Sequence, residues 1–354
     1  MKKAIPLIIA LLTASAMLAG CGKTAAGYSE RVIYGMDTYI TLRLSQGTSD
    51  GSGSDSGQID EIERECSEII AKNEILMSSH NEDAIVYGLN HGVCRVDDAA
   101  PELVSVMRTA LYIKNKTNGA YSPTLGALTE LWNVAGGGPV PSEEDITLAK
   151  EHISADGITV SDTSVENDDR DCHIDLGGIA KGYTAQEIVE HLSVSGIPYG
   201  LISMGGNVGV FGTKDDGTPF KVGICDPRDT SSVVGYLSID GGFISVSGDY
   251  ERYFEENGRR YHHILDPATG RPAENGLHSV AVWSNNGSVA DALSTALFVM
   301  GEERALEFYR SGDVRFEAIF ITDKDEIVLT DGIANGAFEL SGSTYSLRSA
   351  KGGD

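Results

Sequence analysis

Two separated segments hold the residue types that chemistry needs. Asp175-Leu176-Gly177-Gly178-Ile179-Ala180-Lys181-Gly182 sets an acid, adjacent glycines and a lysine before a helix-like run, Tyr183 to Leu192. Backbone N–H groups at such a loop-to-helix junction, with one ammonium beside them, make an anion cradle. Far downstream, Asp291 and Thr295 stand four apart within Asp291-Ala292-Leu293-Ser294-Thr295. On a helix that spacing puts a carboxylate and a hydroxyl on one face, the hard-oxygen pair that suits Mg²⁺. Each segment alone also has a bland reading, as a glycine turn or a solvated helix face. Together they point to phosphate-ester chemistry.

Three further clusters have chemical and structural readings side by side. Tyr121-Ser122-Pro123-Thr124-Leu125-Gly126, with Leu131-Trp132, sets hydroxyls beside a tight turn and an indole, suited to stacking a planar ring or to closing a core. Met204-Gly205-Gly206-Asn207 allows close backbone approach to a ligand or simply joins two strands. His262-His263-Ile264-Leu265-Asp266-Pro267-Ala268-Thr269-Gly270 carries two imidazoles and a carboxylate before a turn.

The elements that must position these groups follow from periodicity. Arg31–Leu44 alternates and is rich in Tyr, Ile and Thr, a strand or hairpin arm. Ser45–Gly57 is a Gly/Ser/Asp insert that reads as a flexible, elongated turn. Helices are expected over Ile59–Met77, over Pro101–Thr117, after the capping segment Pro141-Ser142-Glu143-Glu144, and over Val289–Met300, which Gly301 ends before a continuation at Glu302–Tyr309. Strand-like runs at 200–203, 208–211, 221–224, 235–239 and 243–246 suggest an antiparallel meander, with further strands at 279–283, 318–321 and 327–330. Without regular βαβ alternation this is an α+β chain with mixed, mostly antiparallel sheets and packed helices.

The 354 residues carry a formal charge of −25, which excludes nucleic acid and anionic headgroups as natural partners, so any phosphate must be held by a local device. Met1-Lys2-Lys3, an apolar stretch from Ala4 to Ala19 and Leu18-Ala19-Gly20-Cys21 read as a secretory signal ending in a bacterial lipobox. Residues 1–20 are then the signal peptide, Cys21 the lipidated first residue and 21–30 a tether, leaving 31–345 as the main domain. Loss of Lys2 and Lys3 takes the charge from −25 to −27. The expected location is the extracytoplasmic face of the cell membrane, anchored by acyl chains. Cys66, Cys94, Cys172 and Cys225 show no C-x-x-C spacing, so no pairing follows.

Taken in order, several segments resemble the ApbE family of Mg²⁺-dependent FAD:protein FMN transferases, from about Tyr34 to about Asp331. They are Met36-Asp37-Thr38, Asn118-Gly119-Ala120-Tyr121-Ser122-Pro123-Thr124, Asp175–Gly182, Ser247-Gly248-Asp249-Tyr250, His263–Gly270 and Ala290–Ala296. The resemblance implies that FAD is the substrate, and that a Thr or Ser hydroxyl of an acceptor protein with a [DN]xx[ST]GA-type motif takes FMN and releases AMP. It implies Mg²⁺ on Asp291 and Thr295 with backbone oxygen at Gly178 and at Ser294. Lys181 and Asp175 are then expected at FAD, while Met36, Met77, Ser78, Ser79, Ser122, Pro123, Thr124 and Ile264 complete the cofactor-binding set. His263 is the expected proton acceptor, so His263, Asp291 and Lys181 form the catalytic group. Asp37 stands where the family commonly has Gly, Ser247 where it has Thr, and Asp266-x-x-Thr269-Gly270 matches only the start of the acceptor motif.

The same resemblance allows FAD hydrolysis to FMN and AMP, with water replacing the acceptor hydroxyl. A flavin-binding lipoprotein without catalysis is a third reading, though a carrier has no need of a cation at the pyrophosphate. The acceptor is expected in an extracytoplasmic or membrane redox system. Changing Cys21 to Ser should move the protein from the membrane fraction to the soluble fraction or leave an unprocessed precursor. A C21S protein of normal mature mass that still partitions with membranes contradicts the anchor.

Overall fold

The computed structural model describes residues 27–46, 56–342 and 344–351. The expected signal peptide, Cys21, most of the tether and most of the 45–57 insert lie outside the described residues. In chain order, β1 (Tyr28–Gly35) and β2 (Thr38–Ser45) form a hairpin, followed by α1 (Ser56–Met77), α2 (Ile85–Asn90), β3 (Arg95–Asp97), α3 (Pro101–Lys116), α4 (Gly126–Trp132), α5 (Glu143–Lys150), β4 (Ile158–Val160) and β5 (Ser164–Asn167). Next come α6 (Ala180–Val194), β6 (Tyr199–Met204), β7 (Asn207–Gly212), β8 (Phe220–Asp226), β9 (Asp229–Ile239), β10 (Gly242–Gly248), β11 (Tyr253–Glu256), β12 (Arg259–His262), β13 (Leu265–Asp266), β14 (Arg271–Pro272) and β15 (Leu277–Ser284). The chain continues with α7 (Gly287–Ser311), β16 (Glu317–Thr322), β17 (Glu326–Leu329), α8 (Asp331–Ala334), β18 (Phe338–Leu340) and β19 (Ser346–Ser349).

A nine-stranded sheet in the order β1-β2-β6-β7-β10-β15-β16-β17-β19 is antiparallel up to β17, and β19 adds in parallel. It reaches a few residues beyond 31–345 at each end. Both faces are covered. On β15 and β16, Val280, Val282, Ala318 and Phe320 belong to the core shared with α6 and α7, while Ala281, Ile319 and Ile321 face a second core. That second core is closed by a three-stranded sheet, β18-β9-β8, through Phe220, Val222, Ile224, Val234, Leu237 and Phe338. The α+β class with mostly antiparallel sheets is therefore as expected from sequence.

The single meander is not. β6 and β7 do pair, but β8 and β9 leave to form the separate layer, and β10 returns to β7. The alternation in β8 and β9 supplies one apolar face to bury, and the underside of the large sheet is where that burial is available.

Helix α7 begins at Asn286, whose side chain accepts from Val289 N at 2.9 Å, an N-cap. Gly301 (φ 72°, ψ 169°) breaks it, as its place in the sequence suggests, and Asn275 Nδ2 donates to the freed carbonyls of Phe298 and Val299. The first halves of α6 and α7 cross backbone to backbone. A Cβ on Gly182 would lie 2.3 Å from Gly287 O and 2.5 Å from Asp291 Cβ, and one on Gly287 would lie 2.3 Å from Gly182 O. Only paired glycines allow this crossing.

Gly-to-Ala in an open helix gains about 1 kcal/mol from propensity. At Gly182 the clash should reverse the sign, with G182A destabilised by roughly 1–3 kcal/mol or more. Gly241→Ala, where nothing lies within 4 Å of the added Cβ, is the near-neutral control. Denaturant midpoints decide, and a G182A protein as stable as the parent contradicts the packing argument.

Candidate functional site

The crossing delivers Asp291 to the start of α6. Asp291 is 6% exposed. Its Oδ2 accepts from Gly182 N at 2.8 Å and its Oδ1 from Asn207 Nδ2 at 3.2 Å. The α6 N-cap position, Ile179, offers no side-chain cap, so a carboxylate from another helix does that work. Asn207 is itself fixed, because Ser245 Oγ donates to its Oδ1.

One turn on, Thr295 is half-buried and its Oγ1 lies 3.3 Å from Ser247 Oγ. Ser294 is fully buried; its Oγ donates to Asp291 O at 2.8 Å and lies 2.8 Å from Ser247 Oγ. Thr295 Oγ1 is also 3.3 Å from where a Cβ on Gly178 would stand, and Tyr121 Cε2 is 3.2 Å from that point. Gly178, Thr295 and Tyr121 thus meet at one place, between the cradle loop and α7.

The cradle loop is braced internally. Asp175 Oδ1 accepts from Gly177 N at 2.8 Å and its Oδ2 from Thr129 Oγ1 at 2.9 Å. Lys181 Nζ donates to Gly177 O at 3.1 Å and makes no ion pair among the described residues. Its positive field reaches Asp291, Glu251 and His263. Burial raises the Asp291 carboxyl, against which Lys181, Gly182 N and Asn207 pull it down.

His263 follows β12, its backbone N donating to Arg252 O at 3.0 Å and its Nδ1 lying 3.2 Å from the same carbonyl. A carbonyl only accepts, so Nδ1 carries the hydrogen and Nε2 keeps a free lone pair. Desolvation first, then Arg252, lowers His263 to about 3, leaving the imidazole neutral at ordinary pH. Glu251 has no hydrogen bond or ion pair among the described residues, and desolvation raises it to about 7 against the pull of Lys181 and Arg252.

Other expected site residues are already engaged. Ser122 Oγ and Thr124 Oγ1 lie 2.9 Å apart, and Thr124 Oγ1 donates to Ile153 O at 2.7 Å. Pro123 O accepts from Asp175 N at 2.8 Å, so this buried turn braces the cradle rather than presenting free hydroxyls. Trp132 closes a core, its Nε1 donating to Gly270 O at 2.8 Å. Ile264 and Met77 are core side chains, and Ser78 Oγ accepts from His80 N and Asn81 N. Met36 and Asp37 form the β1–β2 turn with φ 50° and 57°, and Met36 N donates to Glu74. Asp37 is exposed.

Sequence reasoning passed over Ser245, Glu251, Arg252 and Thr129, and left Tyr121, Asn207 and Ser247 as segment members without roles. Only the placement of Tyr121 beside the expected Ser122–Thr124 segment, and of Asn207 after paired glycines, hinted at them.

A buried carboxylate and a hydroxyl facing a lysine-bearing cradle define a phosphate-handling site on an α+β fold. The ApbE family model matches residues 36–320, and the chain belongs to the ApbE family. It is 31% identical over 255 residues to the FAD:protein FMN transferase of Vibrio cholerae serotype O1, covering 70% of this chain and 75% of that protein. It is 32% identical over 270 residues to the FAD:protein FMN transferase of Escherichia coli K12, covering 73% and 76%. The crystal structure of the ApbE protein of Thermotoga maritima superposes with a TM-score of 0.74 at 31% identity, covering 89% of this chain and 97% of that one. The flavin transferase ApbE of Vibrio cholerae gives 0.72 at 28% identity, covering 84% and 95%.

Proposed function

We propose that this protein transfers FMN from FAD to a Thr or Ser hydroxyl of an extracytoplasmic acceptor protein, releasing AMP, in a Mg²⁺-dependent reaction. The observation that carries the reading is the convergence of Asp291, Thr295 and Gly178 opposite Lys181, in a family whose relatives are named for this transfer. The donor set fits a hard cation. Asp291 spends one acceptor position on each oxygen and keeps others, Thr295 is half-buried, and no side-chain cation pairs with the buried carboxylate among the described residues. Asp291, Thr295 and the Gly178 carbonyl, with Ser294 behind them, would hold Mg²⁺, whose chemistry there is neutralising pyrophosphate charge.

This chain's own groups then position and deprotonate. Lys181 and the start of α6 hold the pyrophosphate. The acceptor oxygen attacks the FMN-side phosphorus, a new P–O bond forms, the P–O bond to AMP breaks, and AMP leaves. The acceptor proton passes to His263 Nε2, whose tautomer the Arg252 carbonyl fixes. Localisation on a lipidated Cys21 at the extracytoplasmic face of the membrane fits an acceptor in a membrane or extracytoplasmic redox system.

Purified protein, FAD, Mg²⁺ and a candidate acceptor domain should give one FMN-mass adduct by intact mass spectrometry, with AMP in equal amount. Asp291→Ala or excess EDTA should abolish the adduct, and His263→Ala should slow it by roughly 10²–10⁴-fold. Undiminished transfer in EDTA contradicts the cation. FMN and AMP release without a labelled acceptor, across several acceptors, favours hydrolysis instead.

A further inference from the structure

Tyr121 is 3% exposed, and its hydroxyl has no hydrogen-bond partner among the described residues. A buried hydroxyl left unpaired is costly, and such groups in native proteins nearly always find a partner. The unpaired atom belongs to the ring that meets Gly178 and Thr295, and the charges of Asp175 and Asp291 reach that ring without a hydrogen bond to either. The neighbouring hydroxyls of Ser122 and Thr124 are satisfied within the protein, so the lack of a partner is specific to Tyr121 in this turn. A phenolic hydroxyl has a hydrogen to give.

We infer that the Tyr121 hydroxyl is a ligand-binding donor, giving its hydrogen bond to an oxygen held at the Gly178–Thr295–Asp291 junction. That oxygen is either a pyrophosphate oxygen of the dinucleotide or a water on the cation. The inference rests on the proposed phosphate-handling function and adds to it a residue that the resemblance does not assign. The side chain is then incomplete in the empty protein and completed by the ligand, so the cost of burying its hydroxyl is relieved only on binding.

Tyr121→Phe removes the hydroxyl and keeps the ring, so thermal midpoints and FAD titrations separate the possibilities. Without ligand, Y121F should melt at or above the wild-type temperature, because no bond is lost. With Mg²⁺ present, FAD should bind Y121F roughly ten- to a hundredfold more weakly, the worth of one hydrogen bond to a charged oxygen. If Mg²⁺ alone already stabilises Y121F less than wild type, the acceptor is water in the cation shell. If the loss appears only with FAD, the acceptor is a phosphate oxygen. Equal FAD affinity of the two proteins overturns the inference while leaving the proposed function standing. A lower melting temperature of ligand-free Y121F overturns it too, since the hydroxyl then has an internal partner. Absence of FAD binding by the wild type defeats both readings.

Discussion

The close crossing of α6 and α7 at Gly182 and Gly287 is the constraint on which the site depends. It brings a carboxylate from one helix within 2.8 Å of a first-turn N–H of the other, a pairing of residues 109 apart in sequence. That contact caps α6, buries Asp291 and sets Thr295 one turn along against the Gly178 loop. The nine-stranded sheet supplies the platform: the strand ends carrying Asn207, Ser245 and Ser247 reach the same crossing, so the side chains that orient Asp291 and Thr295 come from rigid elements. The three-stranded layer on the far face makes the central strands apolar on both sides and stiffens that platform.

The chain's large negative charge makes the local electrostatics unusual. Most arginines near the surface are engaged by carboxylates, as Arg31, Arg64, Arg95 and Arg348 are. Lys181 and Arg252 make no ion pair among the described residues, and both act on His263 and Glu251. An anion is therefore attracted by two cations free of ion pairs and by a helix start, in a protein whose net charge of −25 opposes its approach. Desolvation first, then these cations, keeps His263 neutral, with the Nε2 lone pair available.

Much of this was legible in the sequence because it is periodic. The four-residue spacing of Asp291 and Thr295, the stop at Gly301 and the glycine-rich approach to α6 are local signals, and the ordered motifs named the family. What local pattern could not show was which strand ends meet the helices: Ser247 and Ser294 are 47 apart and Asn207 and Asp291 are 84 apart. The departure of β8 and β9 to a second sheet escaped for the same reason, since alternation says that a face is buried but not against what. Ser122 and Thr124 looked available as hydroxyls because sequence does not reveal hydrogen bonds already made.

The central claim is that the crossing of α6 and α7 builds a hard-cation site. Among the described residues another grouping, His152, Asp169 and Asp171, has ligand atoms within 4.8 Å of one another, and it offers the competing location. Mn²⁺ accepts the same oxygen donors as Mg²⁺ and scatters anomalously, so crystals grown with Mn²⁺ discriminate between the two. A single strong anomalous peak touching Asp291, Thr295 and the Gly178 carbonyl is the expected result. Density at His152, Asp169 and Asp171 with none beside Asp291 would contradict it.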